Sequence, residues 1–209
     1  MNYIEDTLII LFSSFVITFL SVPLVIKKTT KRGIVGKDVN KTEKSEIPEM
    51  GGVAIISGFI LSLLLLVGYR KILGEYDETS ILSAVSVVLI ASIIGLFDDF
   101  AFLSRKSKAI MVTVSAIPLL LSHPGTAEIT LPFNNYIDFT NIPLFYWIFI
   151  VPLGITGASN AVNMCAGYNG LECGQTAIIS FFLLLVMIVN DIHNSSVLIF
   201  SAILGSSLA

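Results

Sequence analysis

The stretch "GGVAIISGFILSLLLLV", residues 51–67, is apolar throughout apart from two serines and carries no charged side chain. A membrane-spanning helix needs about 20 predominantly apolar residues, a length this run reaches with a few flanking residues. Because lipid offers no hydrogen-bond partners, a segment that crosses it must be a helix or part of a closed barrel. The run lacks the alternation of a barrel strand, and therefore predicts a transmembrane helix.

The composition of the whole chain favours the same class. Of its 209 residues, 55% are hydrophobic and only 13% are charged, whereas soluble domains carry about 25% charged residues. We therefore predict an all-α, polytopic transmembrane bundle of about seven spans, forming one integral membrane domain over residues 1–209. Besides Gly51–Val67, the predicted spans are Thr7–Ile26, Ile81–Phe97, Ala109–Leu121, Leu144–Ser159, Thr176–Val189 and a last one from Ser196 onward.

The cations predict the orientation of these spans. Ten of the twelve lie on one face of the predicted topology, and only Arg70 and Lys71 lie on the other. Since positively charged loops stay in the cytoplasm, we expect that face to be cytoplasmic and the N-terminus to lie outside. The first span lacks a basic start and a cleavage site, so we expect it to be retained. The ten are Lys27, Lys28, Lys31, Arg32, Lys37, Lys41, Lys44, Arg105, Lys106 and Lys108.

Three predicted cytoplasmic stretches could carry chemistry. The first is "GKDVNKTEKSEIPEMGG", residues 36–52, which follows the first span and enters the second through Gly51 and Gly52. Glycines at the start of a helix leave backbone N–H groups open to an anion, and the helix dipole adds to the attraction. The alternative is a solvated loop that only fixes the topology.

The second stretch is "GLFDDFAFLSRKSK", residues 95–108. Asp98 and Asp99 end an apolar run, and ionisable groups near a transmembrane segment are functional candidates. Adjacent residues on a helix point about 100° apart, so separate roles fit better than joint binding of one ion. Lys108 follows a short turn and could meet a phosphate. A plain interfacial acidic pair remains the alternative.

The third stretch is "NAVNMCAGYNGLECG", residues 160–174. Asn160 and Asn163 stand three apart, hence on one face if the preceding helix continues. Amide oxygens are suitable ligands for a hard cation such as Mg²⁺, and Gly167 and Gly170 permit close backbone approach. An ordinary turn rich in glycine and asparagine is the alternative. Together, the three stretches are suited to binding a phosphorylated, metal-bridged substrate for phosphoryl transfer at a membrane surface.

In order and spacing, these three stretches resemble the polyprenyl-phosphate N-acetylhexosamine-1-phosphate transferases. Bacterial cell-wall members usually have an aspartate before the first glycine of the third motif. Ala166 stands there in this chain, which is similar to the eukaryotic and archaeal enzymes that use dolichyl phosphate. The resemblance implies transfer of N-acetylglucosamine-1-phosphate from UDP-GlcNAc to a dolichyl or other polyprenyl phosphate, with release of UMP. This is the first membrane step of lipid-linked glycan assembly.

The resemblance also implies that the enzyme uses Mg²⁺, for which Mn²⁺ can substitute. It further implies contact with membrane lipid and none with nucleic acid, and it leaves a homodimer open as an alternative to a monomer. It makes Asp98, Asp99 and Lys108 the catalytic candidates and Asn163 the metal ligand. We expect Asp98, Asn163 and Glu49 to converge on one cytoplasmic cavity. The expected substrate-binding residues are Val39, Lys41, Glu49, Asn160, Gly167 and Asn169.

The chain departs from the family in its length. Family members usually have about ten spans and a later glycine–aspartate motif, so we expect this chain to be truncated at its C-terminal end. The alternative is then an inactive, substrate-binding fragment. A second alternative is an ion-coupled transporter, with Asp98 and Asp99 as ion ligands and helices broken at Gly154–Gly157. Coupling acids should lie near the middle of the bilayer, whereas these lie at a predicted boundary.

Overall fold

The computed structural model describes residues 3–37, 46–72, 79–101, 104–122, 125–131, 135–165, 168–192 and 194–209. At Tyr3, Lys71, Asp99, Phe100, Ala101, Arg105 and Lys108 only the backbone is described. The chain forms two compact units, one of Met1–Ile81 with Cys165–Ala209 and one of Leu82–Met164.

Helices dominate both units. They are α1 (Tyr3–Lys31), α2 (Gly52–Ile72), α3 (Thr79–Ala101), α4 (Arg105–Val114), α5 (Ile117–Ser122), α6 (Pro143–Phe145), α7 (Val151–Cys165), α8 (Leu171–Val189) and α9 (Ser195–Leu208). A π-helical turn, Tyr146–Ile150, joins α6 to α7. The described residues also form two antiparallel hairpins, the first made of β1 (Val35–Lys37) and β2 (Glu46–Pro48), and the second of β3 (Glu128–Leu131) and β4 (Asn135–Asp138).

The prediction of a polytopic helical membrane protein is confirmed. Over the described residues, five helices are long and apolar enough to cross a membrane, while two further apolar segments, Ala109–Ser122 and Ser195–Leu208, are shorter. The long helices extend beyond the predicted apolar runs, as expected if flanking residues complete each span. The five are Ile4–Lys31, Gly52–Arg70, Thr79–Asp98, Pro143–Cys165 and Leu171–Val189.

The fourth predicted span is not one continuous helix. α4 ends at Val114, a turn occupies Ser115 and Ala116, and α5 begins at Ile117. Pro118 explains the break, since proline has no N–H for the carbonyl four residues earlier and its ring clashes with that carbonyl. That carbonyl belongs to Val114, where α4 ends.

In the first unit, three helices pack through small side chains. Each of α1, α2 and α9 carries two small residues four positions apart: Ser14 and Thr18, Gly58 and Ser62, and Ser201 and Gly205. All six are buried. This spacing lets helix backbones approach closely in a membrane, where association depends on packing rather than on the hydrophobic effect.

The two glycines mark the closest approaches. A β-carbon on Gly58 would collide with the Thr18 hydroxyl and lie 2.7 Å from the Ser14 carbonyl oxygen of α1. A β-carbon on Gly205 would collide with the Leu11 carbonyl oxygen and the Ser14 hydroxyl. Two helices from distant parts of the sequence therefore pack against the same stretch of α1.

An ion pair joins the beginning of α1 to the end of α2. The Arg70 guanidinium donates a hydrogen bond from Nη2 to Oδ1 of Asp6, a residue that is fully buried. Burying a lone charge costs several kcal/mol or more, so each of these groups depends on the other. Farther along this unit, α8 and α9 pack through Ala177, Leu184, Val197 and Leu204, with Leu11 of α1 beside them.

The second unit contains the β3–β4 hairpin, which the sequence analysis did not predict. Phe139, after β4, donates its N–H to the Ala127 carbonyl at 2.8 Å, and its ring contacts those of Phe145 and Tyr146. The π-helical turn ends at Ile150, two residues before Pro152. Since Pro152 has no N–H to donate to the Ile148 carbonyl, the wider π geometry falls where the α-helical pattern cannot be completed.

Candidate active site

The acidic pair lies in the last turn of α3. Asp98 is the final residue of the apolar span Thr79–Asp98, and its side chain is half-buried. Asp99 follows on the same helix, where its backbone is described. The sequence analysis placed both at the end of a span, and the helix boundary agrees. Successive helical positions point about 100° apart, so adjacent positions 98 and 99 lie on different faces of α3.

Lys108 is the fourth residue of α4, and this helix begins with an unusual concentration of positive charge. Ser104 caps this helix, accepting a hydrogen bond at 3.2 Å from the Ser107 N–H. Arg105, Lys106 and Lys108 then occupy the beginning of the helix, and no acidic residue lies in the first turn. Cations at a helix N-terminus oppose the helix dipole, each by about 0.3–1 kcal/mol when exposed. An anion bound there would be attracted by both the cations and the helix terminus.

The two asparagines share one face of α7, as predicted, because the helix continues through both positions to Cys165. Asn160 is half-buried, and its Nδ2 donates to the Thr156 carbonyl oxygen at 2.7 Å. That bond turns the amide oxygen Oδ1 away from the helix backbone. Asn163 is exposed. One face of α7 therefore carries two side-chain amide groups, which lie three residues apart in the sequence.

A side-chain hydrogen bond links α4 to α7 inside the second unit. The hydroxyl oxygens of Thr113 and Thr156 lie 2.9 Å apart, and Thr113 also approaches the Ala109 carbonyl at 3.2 Å. When Thr113 donates to Ala109, the Thr156 hydroxyl is the donor to Thr113. This link ties the helix of Lys108 to the helix of Asn160. The sequence analysis missed both threonines, although Thr156 stands one helical turn before Asn160.

Between α3 and α4 of this unit lies an apolar cleft of about 190 Å³, lined by Ile90, Ile93, Ile94, Met111 and Val114. No polar side chain is among these lining residues. The cleft can therefore accept hydrocarbon but offers no hydrogen bond to a headgroup.

In the first unit, residues 168–170 of the third stretch lead directly into α8. Asn169 is exposed, and Gly170 adopts a left-handed backbone with φ 81° before α8 begins at Leu171. A residue with a β-carbon would be strained at this φ, so glycine suits the position. The helix also begins earlier than predicted, at Leu171 rather than Thr176, which shortens the polar segment between α7 and α8.

Glu49 lies after the β1–β2 hairpin, which the sequence analysis did not predict. Its N–H donates to the Ile34 carbonyl at 3.3 Å, and its carboxylate lies directly above Gly36. Glu49 is exposed, so its carboxylate can accept hydrogen bonds from a ligand. Val39, Lys41 and Gly167 lie outside the described residues, as do Asp38 and Asn40.

The described donor groups fit Mg²⁺ by chemical type. Asp98 supplies carboxylate oxygens and Asn163 an amide oxygen, and both are hard ligands that Mg²⁺ accepts. Among the described residues, no three His, Cys, Asp or Glu side chains cluster as a complete metal cage. Mg²⁺ is often held by one or two carboxylates together with substrate phosphates, so a sparse protein contribution is compatible with it.

Comparison with known proteins assigns the family. Residues 81–209 match the family described as glycosyl transferase family 4. The chain belongs to this family. That match includes α3 to α9, and with them Asp98, Lys108, Asn160 and Asn163. It confirms the resemblance drawn from the three sequence motifs.

Individual relatives come from both branches considered in the sequence analysis. A protein of Sulfolobus acidocaldarius, named "Putative UDP-N-acetylglucosamine--dolichyl-phosphate N-acetylglucosaminephosphotransferase", is 34% identical over 171 residues, which are 81% of this chain and 51% of the relative. The fission yeast Schizosaccharomyces pombe has a protein of that name without the qualifier, 26% identical over 84% of this chain and 45% of the relative.

A phospho-N-acetylmuramoyl-pentapeptide-transferase of Caldicellulosiruptor bescii is 30% identical over 97% of this chain and 64% of its own length. The chain thus spans about half the length of the curated dolichyl-phosphate relatives it matches.

Proposed function

We propose that this chain belongs to an enzyme that transfers N-acetylglucosamine-1-phosphate from UDP-GlcNAc to a dolichyl or other polyprenyl phosphate. An oxygen of the lipid phosphate attacks the phosphorus that carries the sugar, the pyrophosphate P–O bond breaks, and UMP leaves. The observation that carries this proposal is the 34% identity to the Sulfolobus protein over 81% of this chain. The name of that protein describes an N-acetylglucosamine phosphotransferase acting on dolichyl phosphate. Ala166, in place of the aspartate usual in cell-wall enzymes, favours the same substrate.

The charges around α3 and α4 support a phosphoryl-transfer role. We assign Asp98 or Asp99 to orient the lipid phosphate or accept its proton, since each ends a membrane span where that phosphate would lie. Lys108 belongs to the cationic start of α4, which would attract phosphate oxygens in the transition state. Phosphoryl transfer depends mainly on such positioning and charge stabilisation.

Substrate binding is assigned to amides and backbone rather than to cations. Asn163 is proposed as a ligand of Mg²⁺, for which Mn²⁺ is a substitute, and the ion when bound would neutralise pyrophosphate charge. Asn160 would use its amide oxygen toward the substrate, since its Nδ2 is already bonded to Thr156. The uridine contacts are assigned to Val39, Glu49, Gly167 and Asn169, and Lys41 is assigned to substrate binding in the same loop as Val39.

The apolar cleft between α3 and α4 suits the lipid substrate. Its volume of about 190 Å³ holds only a short part of a long isoprenoid chain. Its wholly apolar lining would exclude the phosphate, which would remain at the end of the span with Asp98. This arrangement is the one that a reaction between a membrane-embedded lipid and a water-soluble nucleotide sugar requires.

We also propose that the active face is cytoplasmic, on the basis of the ten-to-two division of cations. Single cysteines introduced at Lys41 and Ser107, with Cys165 and Cys173 replaced, should resist a membrane-impermeant thiol reagent applied to intact cells. A cysteine at Glu78 should be labelled. The reverse pattern would overturn the assigned orientation.

The function is tested with the purified chain in lipid nanodiscs, supplied with radiolabelled UDP-GlcNAc, dolichyl phosphate and Mg²⁺. We expect label to enter the lipid fraction and UMP to form in equal amounts. UDP-N-acetylmuramoyl-pentapeptide should not compete. Transfer from that substrate instead would reassign the chain to the cell-wall branch.

A second candidate is substrate binding without turnover by this chain, which spans about half the length of the dolichyl-phosphate relatives it matches. Binding of UDP-GlcNAc in calorimetry without transfer would select this candidate. Absence of both binding and transfer would contradict the proposed function in either form.

A further inference from the structure

The Glu49 carboxylate lies across the β1–β2 hairpin, directly above the α-carbon of Gly36, where a β-carbon at position 36 would displace it. The strands pair with Val35 opposite Pro48 and Gly36 opposite Ile47. Glu49 therefore lies beside Ile34, and its side chain runs diagonally across the hairpin to the position of Gly36. A β-carbon built on Gly36 would collide with Oε1 of Glu49 and lie 3.2 Å from its carboxyl carbon.

We propose that Gly36 is a positioning residue, which keeps the Glu49 carboxylate lying across the hairpin, where it accepts a hydrogen bond from the base of the nucleotide substrate. This inference rests on the proposed function, in which Glu49 contacts uridine. Gly36 itself touches no substrate. Its contribution is the space above its α-carbon, which any other residue would fill.

The backbone on both sides of Glu49 restricts how the carboxylate could adapt. On one side, its N–H is bonded to the Ile34 carbonyl. On the other side, Met50 adopts a left-handed conformation with φ 67°, and α2 begins two residues later at Gly52. A left-handed backbone is uncommon for a residue with a side chain and is retained only where the surroundings fix it. With its backbone held, Glu49 could avoid a β-carbon at position 36 only by changing its side-chain rotamer.

The chemistry of the base gives this placement a specific consequence. Uracil has an N–H group at N3, which a carboxylate oxygen can accept, whereas N3 of cytosine is itself an acceptor. A correctly placed Glu49 carboxylate therefore favours uridine over cytidine nucleotides. Moving the carboxylate would reduce that preference, while a general loss of stability would weaken both nucleotides alike.

The experiment measures UMP and CMP affinities of the purified chain by calorimetry. We expect Gly36→Ala to weaken UMP binding about tenfold, the scale of one lost charge-assisted hydrogen bond. CMP affinity should change much less, so the UMP preference should fall. Glu49→Ala should have the same effect, and adding Gly36→Ala to it should produce little further loss, because the two residues act through one carboxylate.

The matched control is Gly68→Ala on α2, where a β-carbon meets nothing within 4 Å. It should leave both affinities unchanged, and circular dichroism should show that all variants fold. Unchanged UMP affinity in folded Gly36→Ala would overturn the inference while leaving the proposed function intact. So would additive losses in the double variant. Failure of the wild-type chain to bind UMP or UDP-GlcNAc would instead refute the proposed function, and the inference with it.

Discussion

The hydroxyl oxygens of Thr113 on α4 and Thr156 on α7 lie 2.9 Å apart, and the Thr156 carbonyl oxygen accepts a hydrogen bond from Asn160. One residue of α7 thus contacts both a neighbouring helix and a candidate substrate-binding side chain. We predict that Thr113→Val and Thr156→Val each lower the free energy of unfolding by about 0.6 kcal/mol, the typical value for such bonds in membrane proteins.

A double-mutant cycle with unfolding by denaturant checks this prediction. The double variant should lose scarcely more than either single one, because both substitutions remove the same bond. Thr113→Ser, which keeps the hydroxyl, serves as the control. Full additivity of the two losses would show that the hydroxyls do not interact.

Replacing either carboxylate at the end of α3 should slow the chemistry without abolishing nucleotide binding. Asp98→Asn and Asp99→Asn preserve side-chain size but remove the negative charge and the capacity to accept a proton. We expect transfer rates to fall by two to four decades, or roughly 3–5 kcal/mol of transition-state stabilisation. UDP-GlcNAc affinity should remain within about threefold, corresponding to less than 1 kcal/mol. Transfer at the wild-type rate in both variants would make the acidic pair structural.

The amide of Asn163 should affect the dependence of transfer on Mg²⁺. In Asn163→Ala, one proposed oxygen ligand is lost, so a higher Mg²⁺ concentration should be needed for half-maximal rate, and added Mg²⁺ should partly restore transfer. Steady-state rates over a Mg²⁺ series provide the measurement. Asn141→Ala, at an exposed position in the turn before α6, is the control. An identical Mg²⁺ dependence in Asn163→Ala and the wild type would remove Asn163 from the metal site.

A methyl group at the closest helix contact should destabilise the first unit. Gly205→Ala would press a β-carbon against the Leu11 carbonyl and the Ser14 hydroxyl. Overpacking of this kind costs about 1–3 kcal/mol. Thermal unfolding in detergent should show a lower midpoint for Gly205→Ala. Gly154→Ala, where a β-carbon meets nothing within 4 Å, should be neutral or slightly stabilising. Equal midpoints for the two variants would contradict close packing at Gly205.

The buried ion pair should be more sensitive to the loss of one partner than to the loss of both. Asp6→Leu leaves the Arg70 guanidinium largely buried without its carboxylate, and we expect a loss of about 3–5 kcal/mol. Adding Arg70→Met removes the buried guanidinium as well and should recover part of that stability. Equilibrium unfolding of the two variants gives the comparison. A double variant less stable than Asp6→Leu would show that Arg70 has another stabilising partner of greater weight.

The sequence predicted the features that depend on local pattern and missed those that depend on pairing. The run at residues 51–67 was sufficient to predict a helix there. The spacing of Asn160 and Asn163 predicted one shared face on the condition that the preceding helix continued, and α7 meets that condition. The interruption at Pro118 could also have been foreseen, because proline breaks the hydrogen-bond pattern of any helix. The sequence analysis nevertheless predicted Ala109–Leu121 as one span.

Other features could not be predicted from local pattern. The strands β1 and β2 have three residues each, too few to show alternation, so the placement of Glu49 above Gly36 could not be predicted. The small residues of α1, α2 and α9 are visible in the sequence at four-residue spacing. Nothing local, however, identifies which of these helices meet. That depends on long-range contacts between segments far apart in the chain.

The packing of α9 against α1 has a consequence for biosynthesis. Helix α1 ends at Lys31 and α9 extends over Ser195–Leu208, so the ribosome must add residues 32–194 and then α9 itself before the partner of α1 exists. At about 5–20 residues per second, this interval lasts on the order of ten to forty seconds. Throughout it, the groove around Ser14 that will receive Gly205 has no occupant from its own chain. Bilayer lipid or a membrane chaperone must cover that groove until α9 inserts, which makes this interval the one in which α1 can pair with a wrong helix.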